Sequence, residues 1–463
     1  MEISINQCPV RHHALQHPES IAIQSDQQHL TYQQLDRQLH SLTQQLSDAG
    51  LTAGDRLICI APNSIKLVQL QLSCLRTGII FCPINARFSL HEIETRLTIL
   101  SSPFIWYEDI NIPLPTKTLM FDFAPTKTDK QLPVELVIDP QRVIDIIFTS
   151  GSSGQPKAIM HNFSNHFYSA QGSQTLIPLV KDDYNLLSLP LYHISGYAAV
   201  FRTMLAGACL VFSKQPITTT LLQHYKITHL SLVATQLYRL LADPQFKKGN
   251  LAIKHLLLGG SAFSKKLLNQ TLQRGLNYHL SYGLTEMSSQ VATSCNDQSL
   301  SMLPEREVKI IDGEIFLRGK TRFIGYFNGV QGCDFIPVEQ WFASKDLGIK
   351  TDNQLEIIGR KDRQFICAGE NIQPEEIEAW LIALDKVKQA YIVPIDDPIL
   401  GQRPVAFIDW QHTPLENEQI NKHMRLKLAP FKCPSHYFSL PQQSGLKISL
   451  SVLAKQAAAL LNQ

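Results

Sequence analysis

The chain has 463 residues, with 42 Lys and Arg against 40 Asp and Glu and a formal charge of +2. That balance is too even for a surface that grips nucleic acid or an anionic membrane by bulk electrostatics, so the expected partner is a small molecule. At roughly 150 residues per domain the length calls for two to four modules with a large core. The nine cysteines (Cys8, Cys59, Cys74, Cys82, Cys209, Cys295, Cys333, Cys367 and Cys433) never fall two to four residues apart. This argues against a zinc site or a disulfide framework and for a reducing cytoplasm.

The opening MEISINQCPVRHH lacks the basic stretch and apolar core of a secretory signal. From Thr31, an N-cap residue, Tyr32, Leu35, Leu39, Leu42 and Leu46 recur at helical spacing up to Gly50. A strand over Arg56–Ala61, a helix over Ile65–Leu75 and a strand over Gly78–Pro83 then give the rhythm of a βαβ unit. Val143–Phe148 reads as a buried strand and Ser195–Leu205 as a helix. The longest uncharged run, Tyr184–Phe201, contains Pro190, His193 and Gly196, which excludes a membrane helix there. The strand and helix rhythm returns in Ile227–Val233, Thr235–Ala242, His255–Gly260, Ser264–Arg274 and Tyr278–Tyr282.

After Gly359 the texture changes. Arg360–Arg363 is a charged, hinge-like segment, followed by a helix over Glu370–Leu381, strands over Val387–Pro394 and Pro404–Trp410, and helices over Glu416–Leu428 and Ser449–Leu461. The expectation is an α/β N-terminal domain with parallel sheet over residues 1–359 and a small α+β domain over 360–463.

The run TSGSSGQPK follows the Val143–Phe148 strand directly. Gly151 and Gly154 let backbone N–H groups turn inward, the hydroxyls of Thr149, Ser150, Ser152 and Ser153 add donors, and Lys157 supplies positive charge, all suited to phosphate. It is not a Walker loop, because Gln155 and Pro156 separate Gly154 from the lysine. Alone, such a run can also be a flexible turn. In SYGLTE, Tyr282 can offer an aromatic face to a base, Gly283 a tight backbone, Thr285 a hydroxyl to phosphate and Glu286 an oxygen to magnesium, although in isolation an aromatic followed by Gly is usually just a strand end. In LLGGS, Gly259, Gly260 and Ser261 permit backbone approach to a planar ligand or simply make a βα turn. Asp346 of KDLG can accept ribose hydroxyls with Arg360 of GRKDR in support, although charged loops are commonly solvated faces.

TSGSSGQPK, LLGGS, SYGLTE, GEIFLRG, KDLG, GRKDR and GENIQPEEIE in this order resemble the adenylate-forming superfamily, over nearly the whole chain. The resemblance implies a large N-terminal and a small, mobile C-terminal domain, with ATP, magnesium and coenzyme A as cofactors and co-substrates. It matches Thr149–Lys157 to the phosphate loop, Gly259–Ser261 and Tyr282 to the adenine site, and Thr285 to phosphate contact. Glu286 matches the magnesium ligand, Asp346 and Arg360 the ribose partners, and Asp362 the hinge. Lys447, in GLKIS, matches the lysine bridging the carboxylate and the ATP α-phosphate, and Gly369 lies on the face that replaces it for thiol attack. Ser153, Ser344 and Lys345 depart mildly from the usual pattern, and Leu450 stands where an arginine is common.

SAQGS, LLSLPLYHISG, LVATQLYRLL and GLKIS look most like superfamily acid–thiol ligases whose substrate is a keto-dicarboxylate on an aromatic ring. One carboxylate is activated and the other needs a countercharge, for which Arg202 is the candidate, with His193 lining the same pocket. The alternatives are another aryl- or acyl-CoA ligase, a freestanding enzyme loading a carrier protein, and an adenylate sensor without turnover. A homo-oligomer is compatible with the sequence.

Overall fold

Thr31 starts the amphipathic helix Tyr32–Asp48 through a reciprocal capping box. Its hydroxyl accepts from the Gln34 N–H while the Gln34 side chain accepts from the Thr31 N–H, satisfying two donors that a helix start leaves without partners. The stripe Leu35, Leu39, Leu42 and Leu46 is buried, as its spacing predicts. The protein is known from a computed structural model. It describes residues 3–26, 28–109, 118–124, 136–150, 156–260, 263–296, 298–329, 332–367, 370–397, 400–411, 413–428, 430–441 and 449–461.

The chain divides into two units: residues 1–262, 270–308 and 317–342 form the first, and 263–269, 309–316 and 343–463 the second. The second therefore begins ahead of residue 360 and takes in most of the hairpin Phe342–Thr351 and Gln354–Arg360.

The first unit carries two sheets. In one, the parallel strands Ile105–Tyr107, Arg56–Ile60, Ile80–Ile84 and Val143–Ser150 are continued by antiparallel Pro156–Asn162, Gly325–Phe327 and Cys333–Phe335. In the other, Ile21–Ser25, Cys209–Phe212, Tyr184–Leu186, His229–Leu232, His255–Gly259 and Tyr278–Leu284 run parallel, with antiparallel His29–Thr31 beside the first and Ser289–Thr293 and Leu300–Met302 beyond the last. Helices cover the parallel strands, which explains their near-continuous apolar runs. The helix Ile65–Thr77 illustrates the local logic: Ser64 caps its start and Gly78, at φ 74, ends it in the left-handed conformation.

The second unit is α+β. Glu370–Ile372, Phe365–Cys367, Gly401–Trp410 and Val387–Asp397 form an antiparallel sheet that Tyr437–Ser439 joins in parallel. The helices are Pro374–Ile382, Asn417–Arg425 and Leu450–Leu461, and the last packs Leu453 and Ala457 against Val393, Val405 and Phe407. One sequence expectation needs correction: Glu370–Ile372 is a strand, and the helix starts only at Pro374, whose ring fixes φ and lacks the N–H that a first helical residue does not use. The large α/β domain with parallel sheet and the small α+β domain agree with the sequence. Among the described residues no helix is long and apolar enough to cross a membrane.

Candidate active site

Val143–Ser150 and Pro156–Asn162 form a hairpin in which Thr149 lies opposite Lys157 and Ser150 opposite Pro156, so the two ends of the glycine-rich loop are pinned side by side. Gly151, Ser152, Ser153 and Gly154, the Ser150 side chain, Ser261, Gly369 and Lys447 lie outside the described residues. The exposed Lys157 ammonium stands 5.3 Å from the ring centre of Tyr326, within cation–π range. Burial, and then the Glu286 carboxylate, raise the Tyr326 phenol to about 12. Tyr326, which the sequence did not single out, thus neighbours both the loop lysine and the SYGLTE carboxylate.

SYGLTE occupies the end of Tyr278–Leu284 and the single 3₁₀ turn Thr285–Met287. Gly283 is required there, because a Cβ would run into the Ser289 carbonyl. After the turn, Ser288 and Ser289 both have positive φ, 51° and 101°, conformations that cost a non-glycine residue about 1–3 kcal/mol and persist only when the surroundings impose them. Here the Ser288 N–H donates to the Thr285 carbonyl at 3.0 Å, the Ser169 hydroxyl to the Ser288 carbonyl at 2.6 Å, and the Phe323 N–H to the Glu286 carbonyl at 2.8 Å. The half-buried Thr285 and Glu286 side chains offer hard oxygen donors of the kind magnesium takes. Gly259 pairs with Ser281 in the adjacent strand, so the LLGGS turn, with Gly260 at φ 80, lies beside Tyr282.

Beneath this turn lies a fully buried cluster of three ionisable side chains. Asp145 accepts from His161 Nδ1 at 2.7 Å and from His166 Nε2 at 2.6 Å, and all three side chains are inaccessible to solvent. His161 Nε2 meets the Thr285 carbonyl at 2.7 Å. A carbonyl and an ionised carboxylate only accept, so both nitrogens of His161 must carry hydrogen and the ring is an imidazolium. Among the described residues His166 Nδ1 has no partner, which leaves that ring neutral. The electrostatics agree. Burial opposes charge on His161, but Asp145, the Thr285 carbonyl and Glu286 outweigh it and raise its pKa. Burial would raise Asp145, yet His161 and His166 hold it below the usual carboxylate range, while His166 is lowered chiefly by burial. The three form the one Asp and His group among the described residues with metal-ligand proximity. Its oxygen–nitrogen separations are those of hydrogen bonds, and two ligands each about 2.0–2.2 Å from one zinc ion would stand farther apart.

Arg202, on the helix Ile194–Ala206, is half-buried and shares a small pocket with Asn185, His229, Ser231 and His255. Among the described residues no carboxylate or carbonyl meets its guanidinium, and burial pulls its pKa down to about 10. The two imidazoles in the wall are held neutral, His229 lowered to about 4 and His255 lowered, in each case chiefly by burial. His193 caps the same helix nine residues earlier, about 13 Å along the axis, and is exposed. The structure does not bring it into the Arg202 pocket.

In the second unit three motifs converge. Arg360 bonds Asp346 at 2.9 Å and grips both oxygens of Asp362 at 3.0 and 2.9 Å. Burial disfavours the Arg360 charge, but Asp362 and Asp346 more than compensate and raise its pKa. Glu314 of GEIFLRG accepts from the Lys345 N–H at 3.0 Å and pairs with Lys361 at 2.7 Å. Sequence reading found the outer residues of these clusters and missed Asp145, His161, His166, Tyr326 and Glu314. A lone aspartate inside the apolar run VIDIIF was the one legible sign of the buried cluster.

The AMP-binding enzyme family matches residues 10–327, and the AMP-binding enzyme C-terminal domain matches residues 376–444. The chain is 33% identical over 459 residues to the 2-succinylbenzoate–CoA ligase of Escherichia coli, covering 96% of this chain and 97% of that one. A single-residue variant of Escherichia coli MenE with bound OSB-AMS superposes with a TM-score of 0.87 at 32% identity, over 99% of both chains. Bacillus subtilis o-succinylbenzoate coenzyme A synthetase in complex with ATP and magnesium gives 0.84 at 25% identity, over 95% of this chain and 96% of that one.

Proposed function

The chain belongs to the AMP-binding enzyme family, and from that membership we propose how its residues divide the work of an ATP-dependent acid–thiol ligase. The enzyme activates 2-succinylbenzoate as an acyl adenylate and transfers the acyl group to coenzyme A, a step in menaquinone biosynthesis. The observation that carries this reading is the full-length likeness to 2-succinylbenzoate–CoA ligase.

In the first half-reaction a substrate carboxylate oxygen attacks the ATP α-phosphorus, and the bond to pyrophosphate breaks. Two anions must approach, so positioned positive charge is the main requirement and no protein nucleophile is needed. Lys447 supplies that charge at the reacting carboxylate and α-phosphate. The loop Thr149–Lys157 holds the departing pyrophosphate through its N–H groups, hydroxyls and ammonium. Thr285 bonds a phosphate oxygen, and Glu286 would hold magnesium. Bound magnesium neutralises charge on the phosphate oxygens. Gly259, Gly260, Ser261 and Tyr282 receive adenine, and Asp346, with Arg360 behind it, receives the ribose hydroxyls.

Arg202 takes the second carboxylate. Support comes from its guanidinium, which meets no carboxylate or carbonyl among the described residues, in a pocket whose histidines are neutral: a dicarboxylate would bring such a partner. For the second half-reaction the small domain turns at Asp362, Lys447 leaves, and the face near Gly369 admits the thiol, which attacks the acyl carbon and expels AMP. Nine free cysteines fit a cytoplasmic enzyme.

Pyrophosphate exchange into ATP over a panel of aryl and acyl carboxylates, followed by coenzyme A consumption, tests the reading. Exchange with 2-succinylbenzoate above all others is expected. Exchange with another acid alone would move the chain to a different acyl-CoA ligase, and none with any acid would end the enzyme reading.

A further inference from the structure

The strand Pro156–Asn162 has two functional ends. Lys157 stands near its start, at the close of the phosphate loop, and His161 near its finish, bonded to the Thr285 carbonyl at 2.7 Å. The Thr285 carbonyl also receives the Ser288 N–H, so a single oxygen anchors the first residue of the turn that presents the Thr285 hydroxyl and the Glu286 carboxylate. The two residues after the turn are left-handed serines, so the local backbone does not hold this geometry unaided. His161 cannot drift, because its other nitrogen is fixed by Asp145, itself fixed by His166.

We propose that His161 is a positioning residue for adenylate formation, which ties the phosphate-loop strand to the Thr285–Glu286 turn so that both sides of the ATP phosphate site keep one spacing. The proposal rests on the reading of Thr285 and Glu286 as ATP-facing groups. The chain Asp145, His161, Thr285 carbonyl transmits position only: no proton leaves it and none of its atoms touches substrate. Its effect falls on the half-reaction that uses the triphosphate and spares thiol attack on a finished adenylate.

Two substitutions separate position from mere packing. The amide nitrogen of His161→Gln reaches about as far as Nε2 and can still donate to the Thr285 carbonyl, whereas that of His161→Asn reaches only as far as Nδ1 and keeps the Asp145 side alone. In the full-length protein, calorimetric binding of magnesium with a non-hydrolysable ATP analogue is expected to weaken about 10-fold in His161→Asn, and acyl-adenylate formation to slow about 50-fold, the range for losing one charge-assisted hydrogen bond. Thioester formation from supplied 2-succinylbenzoyl adenylate stays within about twofold of wild type, and His161→Gln recovers analogue binding and adenylation to within about fivefold. Equal behaviour of the two variants, equal loss in both half-reactions, or failure of both variants to fold would overturn the positioning role. Absence of analogue binding and pyrophosphate exchange in the wild type would instead strike the ligase reading, and this proposal with it.

Discussion

Asp145 and Arg202 are both charges drawn into the first unit, yet their surroundings differ in kind. Asp145 is wholly enclosed and each carboxylate oxygen receives a histidine N–H. Arg202 is half-enclosed, with neutral imidazoles across its pocket and no acidic partner among the described residues. A buried charge is costly unless it is paired. The first cluster completes its pairing internally and so becomes part of the scaffold, while the second leaves it incomplete among the described residues, which is why we propose it as a place for a ligand anion.

The contrast can be broken in several ways, and the largest effect belongs to a charge of a third kind, the one proposed for the reacting atoms. Lys447→Ala should lower adenylate formation by about 10³-fold while thioester formation from supplied adenylate continues, as rapid-quench measurement of each half-reaction would reveal. Loss of both together would contradict exchange of the lysine between steps. Next comes Asp145→Ala, which strands the His161 imidazolium in the interior and should cost about 3–5 kcal/mol of stability in urea unfolding. Arg202→Leu removes a half-buried cation that has no acidic partner among the described residues, so its unfolding midpoint should stay level or rise. Similar destabilisation by both substitutions would erase the distinction. In kinetics the order reverses: Arg202→Leu should raise KM for 2-succinylbenzoate about 100-fold, the worth of a desolvated charge-assisted pair, with KM for ATP within about twofold.

The smallest effect is a pH dependence. Asp145 is lowered in the folded protein, so its contribution to stability holds above the ordinary carboxylate range and is lost as pH falls through the folded value. His161 is raised, so its contribution is complete below the ordinary histidine value of about 6.5 and is lost as pH rises through its folded value. The melting temperature of the wild type should therefore lose ground to that of His161→Gln as pH climbs from 6 into the alkaline range. A constant difference would mean that His161 is not charged.

The sequence made the scaffold legible where period and punctuation coincide, as in Thr31 with its leucine stripe; at Gly78 it read the start of a strand where the residue in fact ends the helix Ile65–Thr77. It also exposed the glycine and hydroxyl runs, because their composition departs from that of the apolar strands on either side. It did not reveal what the strands bring together from afar. His161 and Thr285 are 124 residues apart, and His229 meets His255 only because their strands pair in register. Tyr326 looks like an ordinary strand aromatic until Lys157 is placed over its ring. At Glu370 the helical run masked a short strand, since Pro374 starts the helix and the residues before it pair with Phe365–Cys367.

The most direct test compares kcat/KM for 2-succinylbenzoate with that for an analogue that keeps the activated carboxylate and lacks the other, in wild type and in Arg202→Leu. A preference of about 100-fold is expected in the wild type and should collapse to nearly 1 in the variant. An undiminished preference in Arg202→Leu would show that the second carboxylate is held elsewhere, and would contradict the pairing of this pocket with a dicarboxylate.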